Sequence, residues 1–280
     1  MKKNKSGTST IKAEQPLPPD QILDRIVQKQ LLSCPPDTPI ADAARSMSKA
    51  HCSSIVIVEH GKPIGIWTEH DALAVNFSDP EALKQPIASV MSYPIKTIHG
   101  STSVGDAGMR FKLEGVRHFV VIDDSGEATG IVSQSDVILR HGVEHFLVLR
   151  NVRSAISRPM VILNAEAALT DAVAQLHSAR ADAAVVLGDQ AGPGIITERD
   201  IIHLIASGKT IPANVSQVAS RPLVTIREDD SLLGARNLLE EKRIRHIAVT
   251  DRADQLVGLL SFSDILSTLQ YEYVHRLDEA

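Results

Sequence analysis

At 280 residues the chain has room for about two ordinary domains. Hydrophobic residues make up 43% and charged residues 22%, while aromatics at 3% leave the cores to Ile, Val, Leu and Ala. The formal net charge of −5 argues against a broad nucleic-acid surface. Two cysteines argue against a disulfide framework and favour the cytoplasm, and no run of about 18 apolar residues offers a membrane span.

Residues 1–19 are polar, end in three prolines and read as a flexible tail; Asp20 to Gln30 reads as a short helix with Ile22, Leu23, Ile26 and Val27 on one face. Four similar units follow. The first, about 31–75, has a helix with Ile40, Ala43, Ala44 and Met47 at i, i+3, i+4, i+7, then the strand Ile55–Val58, a turn at Gly61, the strand Ile64–Trp67 and a helix from Thr68 or Glu69. The second, about 89–140, repeats this with Val104, Ala107, Gly108 and Phe111 and the strand Phe119–Ile122. The third, about 152–205, uses Leu169, Ala172, Val173 and Leu176 and the strand Ala184–Leu187. The fourth, about 217–269, uses Leu232, Ala235 and Leu239, and Arg236 in the i+4 place predicts a wetter helix edge.

Each unit carries the same junction: Gly65-Ile-Trp-Thr68-Glu-His-Asp71, Gly130-Ile-Val-Ser133-Gln-Ser-Asp136, Gly194-Ile-Ile-Thr197-Glu-Arg-Asp200 and Gly258-Leu-Leu-Ser261-Phe-Ser-Asp264, spaced by 65, 64 and 64 residues. One reading is structural: Ser or Thr caps the following helix and the acid at N3 completes a capping box. The other adds a ligand. A carboxylate accepts both hydroxyls of a ribose diol, and a helix N-terminus suits a phosphate. Before the middle strand the second unit has Arg117-His118 and the fourth Arg245-His246, where the first has Ser53-Ser54 and the third Asp182-Ala183. Cations there suit a phosphate, or serve as solvated charge at a strand start. The asymmetry favours pockets using the second and fourth units and demotes Thr197–Asp200, whose own unit offers Asp182.

The four junctions and the Arg-His lead-ins resemble tandem CBS domains over about Gln21 to Leu269: an α/β (α+β) chain of four β-α-β-β-α repeats paired into two Bateman modules, at 20–148 and 149–269, with 270–280 as a C-terminal connector helix. Pairing the first repeat with the second, and the third with the fourth, would cover the sheet faces with helices. The resemblance implies a non-catalytic regulatory protein binding adenosine compounds: AMP, ADP, ATP, S-adenosylmethionine or a cyclic dinucleotide, AMP and ATP foremost, with no metal. Asp71, Asp136, Asp200 and Asp264 would hold ribose. Thr68, Ser133, Thr197 and Ser261 would lie beside ribose or phosphate, and Arg117, His118, Arg245 and His246 would face phosphates. Adenine would sit around Ile95–Ile98 and Val224–Ile226. The resemblance also implies a homodimer and an output domain or partner enzyme. The run 142–149 and the tail 271–274 are similar to sensory regions that precede diguanylate cyclases or phosphodiesterases. The alternative is a structural dimerisation module with unoccupied clefts.

Three further features carry weaker readings. His141 and His145 at i, i+4 have metal spacing but no third ligand. Cys52 beside His51 reads as a small buried thiol because no orienting acid marks a nucleophile. Trp67 reads as packing rather than stacking on adenine. No Walker, Rossmann or nucleophile-elbow motif occurs.

Overall fold

The computed structural model describes residues 22–140, 147–156 and 160–269. The tail 1–19, the His141/His145 pair, most of the run 142–149 and the connector 270–280 lie outside the described residues.

Each repeat builds one three-stranded sheet. The first comprises β1 (Ser33–Cys34), α1 (Ile40–Ala50), β2 (Ser54–Glu59) and β3 (Lys62–Thr68). The second comprises β4 (Thr97–His99), α2 (Val104–Glu114), β5 (His118–Ile122), β6 (Ala128–Ser133) and α3 (Gln134–Arg140). The third runs through β7 (Ile162–Asn164), α4 (Leu169–Ala179), β8 (Ala183–Leu187), β9 (Gly194–Thr197) and α5 (Glu198–Ser207). The fourth has β10 (Thr225–Arg227), α6 (Leu232–Lys242), β11 (His246–Thr250), β12 (Leu256–Ser261) and a helix, α7, at 262–269. In every sheet the first strand pairs parallel with the second across the helix, and the second pairs antiparallel with the third through a hairpin.

The helix faces expected from the 3.6 period are buried in all four repeats. α1, α2, α4 and α6 each end on a left-handed residue, His51, Gly115, Arg180 and Arg243, which turns the chain into the middle strand. Two expected helices are shorter. Residues Leu23–Arg25 form one 3-10 turn between bridges at Ile22 and Gln28, because the segment stretches along the second repeat to bury Leu23, Ile26 and Val27 there. After Thr68 there is only a 3-10 turn at Asp71–Ala74; Asn76, Ser78, Asp79 and Pro80 oppose a longer helix.

Straps hold the repeats in pairs. The segment before the first repeat docks on the second, with Leu23 N–H donating to Thr102 O at 3.0 Å. The segment before the second docks on the first, with Ile87 N–H donating to Thr38 O at 2.8 Å. The segments before the third and fourth exchange in the same way, through Val152 to Asp230 at 2.9 Å and Val215 to Ala167 at 3.0 Å. These reciprocal straps tie repeat one to repeat two and repeat three to repeat four; each strapped pair is called a module. The apolar clusters run the other way. One joins repeats one and three, the other two and four, so the helices pack module against module. This corrects the expectation that helices close the sheets within a module. Within each sheet Val56, Val120, Val185 and Ala248 point away from those clusters and are fully buried on the opposite face.

Arg236 is likewise not at a wet edge: its side chain is 11% exposed and its Nη2 donates to Leu139 O at 2.6 Å, tying α6 to the end of α3.

The junction glycines have a packing role. A Cβ would come 2.4 Å from Met91 Sδ at Gly65, 2.5 Å from Gln28 O at Gly130, 2.9 Å from Ser220 O at Gly194 and 2.5 Å from Ile156 Cγ2 at Gly258. In each case a strap crosses the last strand at the glycine.

Candidate functional site

Thr or Ser ends the third strand of each sheet, and Asp sits three residues on. In all four copies one carboxylate oxygen, Oδ2, accepts both the backbone N–H and the hydroxyl of that residue. The distances are 2.7 and 2.7 Å for Asp71, 2.9 and 2.6 Å for Asp136, 2.7 and 2.8 Å for Asp200, and 2.8 and 2.6 Å for Asp264. The same Asp-to-Ser/Thr contact therefore forms in every repeat, although in the first it precedes only a 3-10 turn and not a helix. It also limits the chemistry: each hydroxyl has given its proton to Asp and can only accept from a ligand.

What differs is the other oxygen, Oδ1. In Asp71 it accepts from Ser92 Oγ at 3.0 Å, and in Asp136 from Gln28 Nε2 at 2.9 Å. Burial raises the Asp200 carboxyl above the ordinary value, against the hydrogen bonds from Thr197 and the charges of His203 and Arg199.

A cavity of about 860 Å³ opens between the modules. Asp136 and Asp200 line it, with Ser133, Thr197 and Ser261; Asp71, Asp264 and Thr68 do not. Asp136 and Asp200 share this lining with Cys52–Ser54 of repeat one and Lys242–His246 of repeat four. Asp182, of the same repeat as Asp200, also lines this cavity. Leu31, Leu32, Leu223 and Val224 supply aliphatic surface just ahead of β1 and β10; none of Ile95–Ile98 takes part.

Arg117, His118, Arg245 and His246 all reach the lining, where they meet partners the sequence reading missed. Arg117 Nη2 donates to Glu198 Oε2 at 2.8 Å and its Nη1 lies 3.6 Å from Asp182 Oδ2. Arg245 pairs with Glu69, whose other oxygen lies 3.3 Å from Arg199 Nε. His246 Nε2 is 3.2 Å from Asp182 Oδ1, His70 Nδ1 is 2.6 Å from Glu198 Oε1, and His118 Nε2 is 2.9 Å from Ser53 Oγ. Glu69 and Glu198 occupy the residue after the junction Thr and are buried. The signal was present: only the first and third copies carry Glu there, opposite the two Arg lead-ins.

Burial, then Arg117 and Arg245, push His118 down to about 3, so it is neutral at physiological pH. Burial opposes ionisation of Asp182, yet His246 and Arg117 hold its carboxyl below the usual range. Arg117, facing two carboxylates, is raised despite burial; Arg245 is lowered by burial and by Arg199 and Arg117, because it shares Glu69 with another arginine. Both remain charged. Burial and Glu69 push the Cys52 thiol up, which makes a thiolate nucleophile unfavourable there. Trp67 is fully buried in the apolar cluster of repeats one and three, as its packing role requires. Among the described residues no group of three or more His, Cys, Asp or Glu is placed to hold a metal, and no helix is long and apolar enough to cross a membrane.

Four three-stranded βαββ sheets, strapped in pairs around one shared cavity, define a tandem-repeat α/β architecture. The CBS domain family model matches residues 23–77, 87–141, 152–207 and 215–271, and the chain belongs to that family. It is similar to the uncharacterized protein MJ1404 of Methanocaldococcus jannaschii, at 28% identity over 66% of this chain and 43% of that one. It is also similar to the uncharacterized protein MK0525 of Methanopyrus kandleri, at 30% identity over 44% of this chain and 62% of that one. The chain therefore spans less than two thirds of the length of these curated relatives. The solved structure of protein MJ1225 from Methanocaldococcus jannaschii shares the fold, with a TM-score of 0.77 and 17% identity over 89% of this chain and all of that one.

Proposed function

We propose that this chain is a non-catalytic regulatory module that senses an adenosine-containing ligand in the cavity between its repeats. The observation that carries this reading is the joint placement of Asp136 and Asp200, with Ser133 and Thr197, on one 860 Å³ cavity beside aliphatic surface. A carboxylate oxygen, a hydroxyl that can only accept and the aliphatic side chains of Leu31, Leu32, Leu223 and Val224 suit a ribose diol and a purine. AMP, ADP, ATP, S-adenosylmethionine and cyclic dinucleotides share that nucleoside. The helix contacts that join the modules offer a route for the signal: a ligand that prefers one packing of the modules shifts their equilibrium by its differential affinity. By family resemblance the chain works in the cytoplasm as a homodimer, coupled to an output domain or partner enzyme.

Isothermal titration of the purified chain with each of these compounds tests the reading. Binding below millimolar concentration, lost in the Asp200→Ala variant, is the expected result. If none of them binds, the chain is a structural module with unoccupied clefts.

A further inference from the structure

At the centre of the cavity the guanidinium groups are already matched by carboxylates. Arg117, Arg199 and Arg245 face Glu69, Asp182 and Glu198, and His118 carries no charge. The two glutamates come from the odd repeats and their arginines Arg117 and Arg245 from the even ones, so each of those two pairs spans the two modules. Glu69 and Glu198 are 3% exposed, placed on the very guanidinium groups that a nucleotide's phosphates would need.

We propose that Glu69 and Glu198 set the charge of the ligand: they act as built-in anions that occupy the phosphate positions and tune the cavity to adenosine compounds carrying few or no phosphates. This rests on the adenosine reading above. A phosphate brings about −1.5 to −2 of charge. To use Arg117 or Arg245 it must displace a buried carboxylate and leave it without its cation, or share the cation and make the centre anionic; both oppose binding. The other cations on the lining do not change this. Arg221 is held by Asp189 at 2.7 Å, and Lys242 and Arg243 are exposed, where water and salt screen them.

Titration with adenosine, AMP, ATP and inorganic pyrophosphate, at one ionic strength, tests this. The wild-type chain is expected to bind adenosine at least about tenfold more tightly than ATP, a gap of about 1.4 kcal/mol. Glu69→Gln and Glu198→Gln, each checked for folding by circular dichroism, are expected to improve ATP and pyrophosphate binding by a similar factor while leaving adenosine unchanged. Glu69→Gln/Arg245→Gln, which removes cation and anion together, is expected to show no such gain. A wild-type preference for ATP, or an unchanged ATP-to-adenosine ratio in folded variants, overturns the proposal. Should no adenosine compound bind the wild type, the adenosine reading fails by itself. Pyrophosphate then decides: binding by the glutamine variants alone supports the proposal, and binding by neither overturns it. Should both variants fail to fold, the wild-type order of affinities decides alone.

Discussion

Glu69 of the first repeat and Arg245 of the fourth close an ion pair across 176 residues of sequence, with both ends drawn to the middle of the molecule. Glu198 and Arg117 form the counterpart over 81 residues. Helix packing and these charges act between the same two modules, so the apolar clusters and the polar centre depend on one arrangement.

Breaking one pair should therefore cost stability. Arg117→Ala leaves Glu198, 4% exposed at its side chain, with His70 alone, and removes one cation from Asp182. Removing one partner of a buried pair costs about 3–5 kcal/mol; with the Arg117 side chain 31% exposed, we expect about 2 kcal/mol. Glu198→Gln/Arg117→Gln should be closer to wild type than Arg117→Ala. Urea unfolding midpoints of the three chains measure the difference.

The junction glycines give a second prediction. At Gly130 a methyl group would sit 2.5 Å from the Gln28 carbonyl oxygen and 2.9 Å from Val27 Cγ2, so the strap must move. Gly130→Ala should destabilise by about 2–3 kcal/mol. The comparison is Gly126→Ala, at a turn with φ of 82° and nothing within 4 Å, which should cost about 1 kcal/mol from backbone conformation alone. Melting temperatures should rank wild type, Gly126→Ala, Gly130→Ala; equal losses would refute the strap argument.

The periodic part of the fold was legible before the structure. Ile40, Ala43, Ala44 and Met47 announce a helix face because burial repeats every 3.6 residues, and the glycine-flanked apolar runs announce the hairpins. The repeated junction located the four aspartates. What lay hidden is three-dimensional pairing. An apolar helix face records that it is buried, not whether α1 meets its own module or α5 of the other. For the same reason, comparing the lead-in Arg245 with the lead-ins of the other repeats does not show that it meets Glu69 of the first junction. Glu69 and Glu198 also sit at positions that a capping motif leaves free, so their burial left no periodic trace.

Stability should fall with acid. The folded His118 is depressed from the ordinary 6.5 to about 3 by burial and by Arg117 and Arg245. Between those values the unfolded chain binds a proton that the folded chain refuses, so stability rises with pH across the window and levels off above about 6.5. Asp182 acts in the same direction at lower pH, because its folded carboxyl is held below the unfolded value. Asp200, raised by burial, works oppositely: it favours the folded state as pH falls through its raised value. At pH 5 His118 should contribute a loss of roughly 1–2 kcal/mol relative to pH 7. Calorimetric melting of the wild type and His118→Asn from pH 7 to pH 5 tests this; a slope unchanged by the substitution would exclude His118 as its origin.

The aspartates should separate by their second oxygen and not by their caps. All four use Oδ2 to hold the junction, so Asp→Ala should cost each repeat a similar amount, about 1 kcal/mol for a lost cap. Ligand binding should not be shared in that way. Asp71 is off the cavity and gives Oδ1 to Ser92, and Asp136 lines the cavity but gives Oδ1 to Gln28. Asp200 lines the cavity, and among the described residues none donates a hydrogen bond to its Oδ1. Its carboxyl is raised by burial, and a diol donating two hydrogen bonds would stabilise the charged form. We expect Asp200→Ala to weaken adenosine binding at least tenfold, Asp136→Ala by less because the ligand must first displace Gln28, and Asp71→Ala within twofold. Titration calorimetry on the three variants, at equal fractions folded, gives the order. Equal losses at Asp71 and Asp200 would mean that the effect is transmitted through folding of the junction, and the ribose assignment would then be withdrawn.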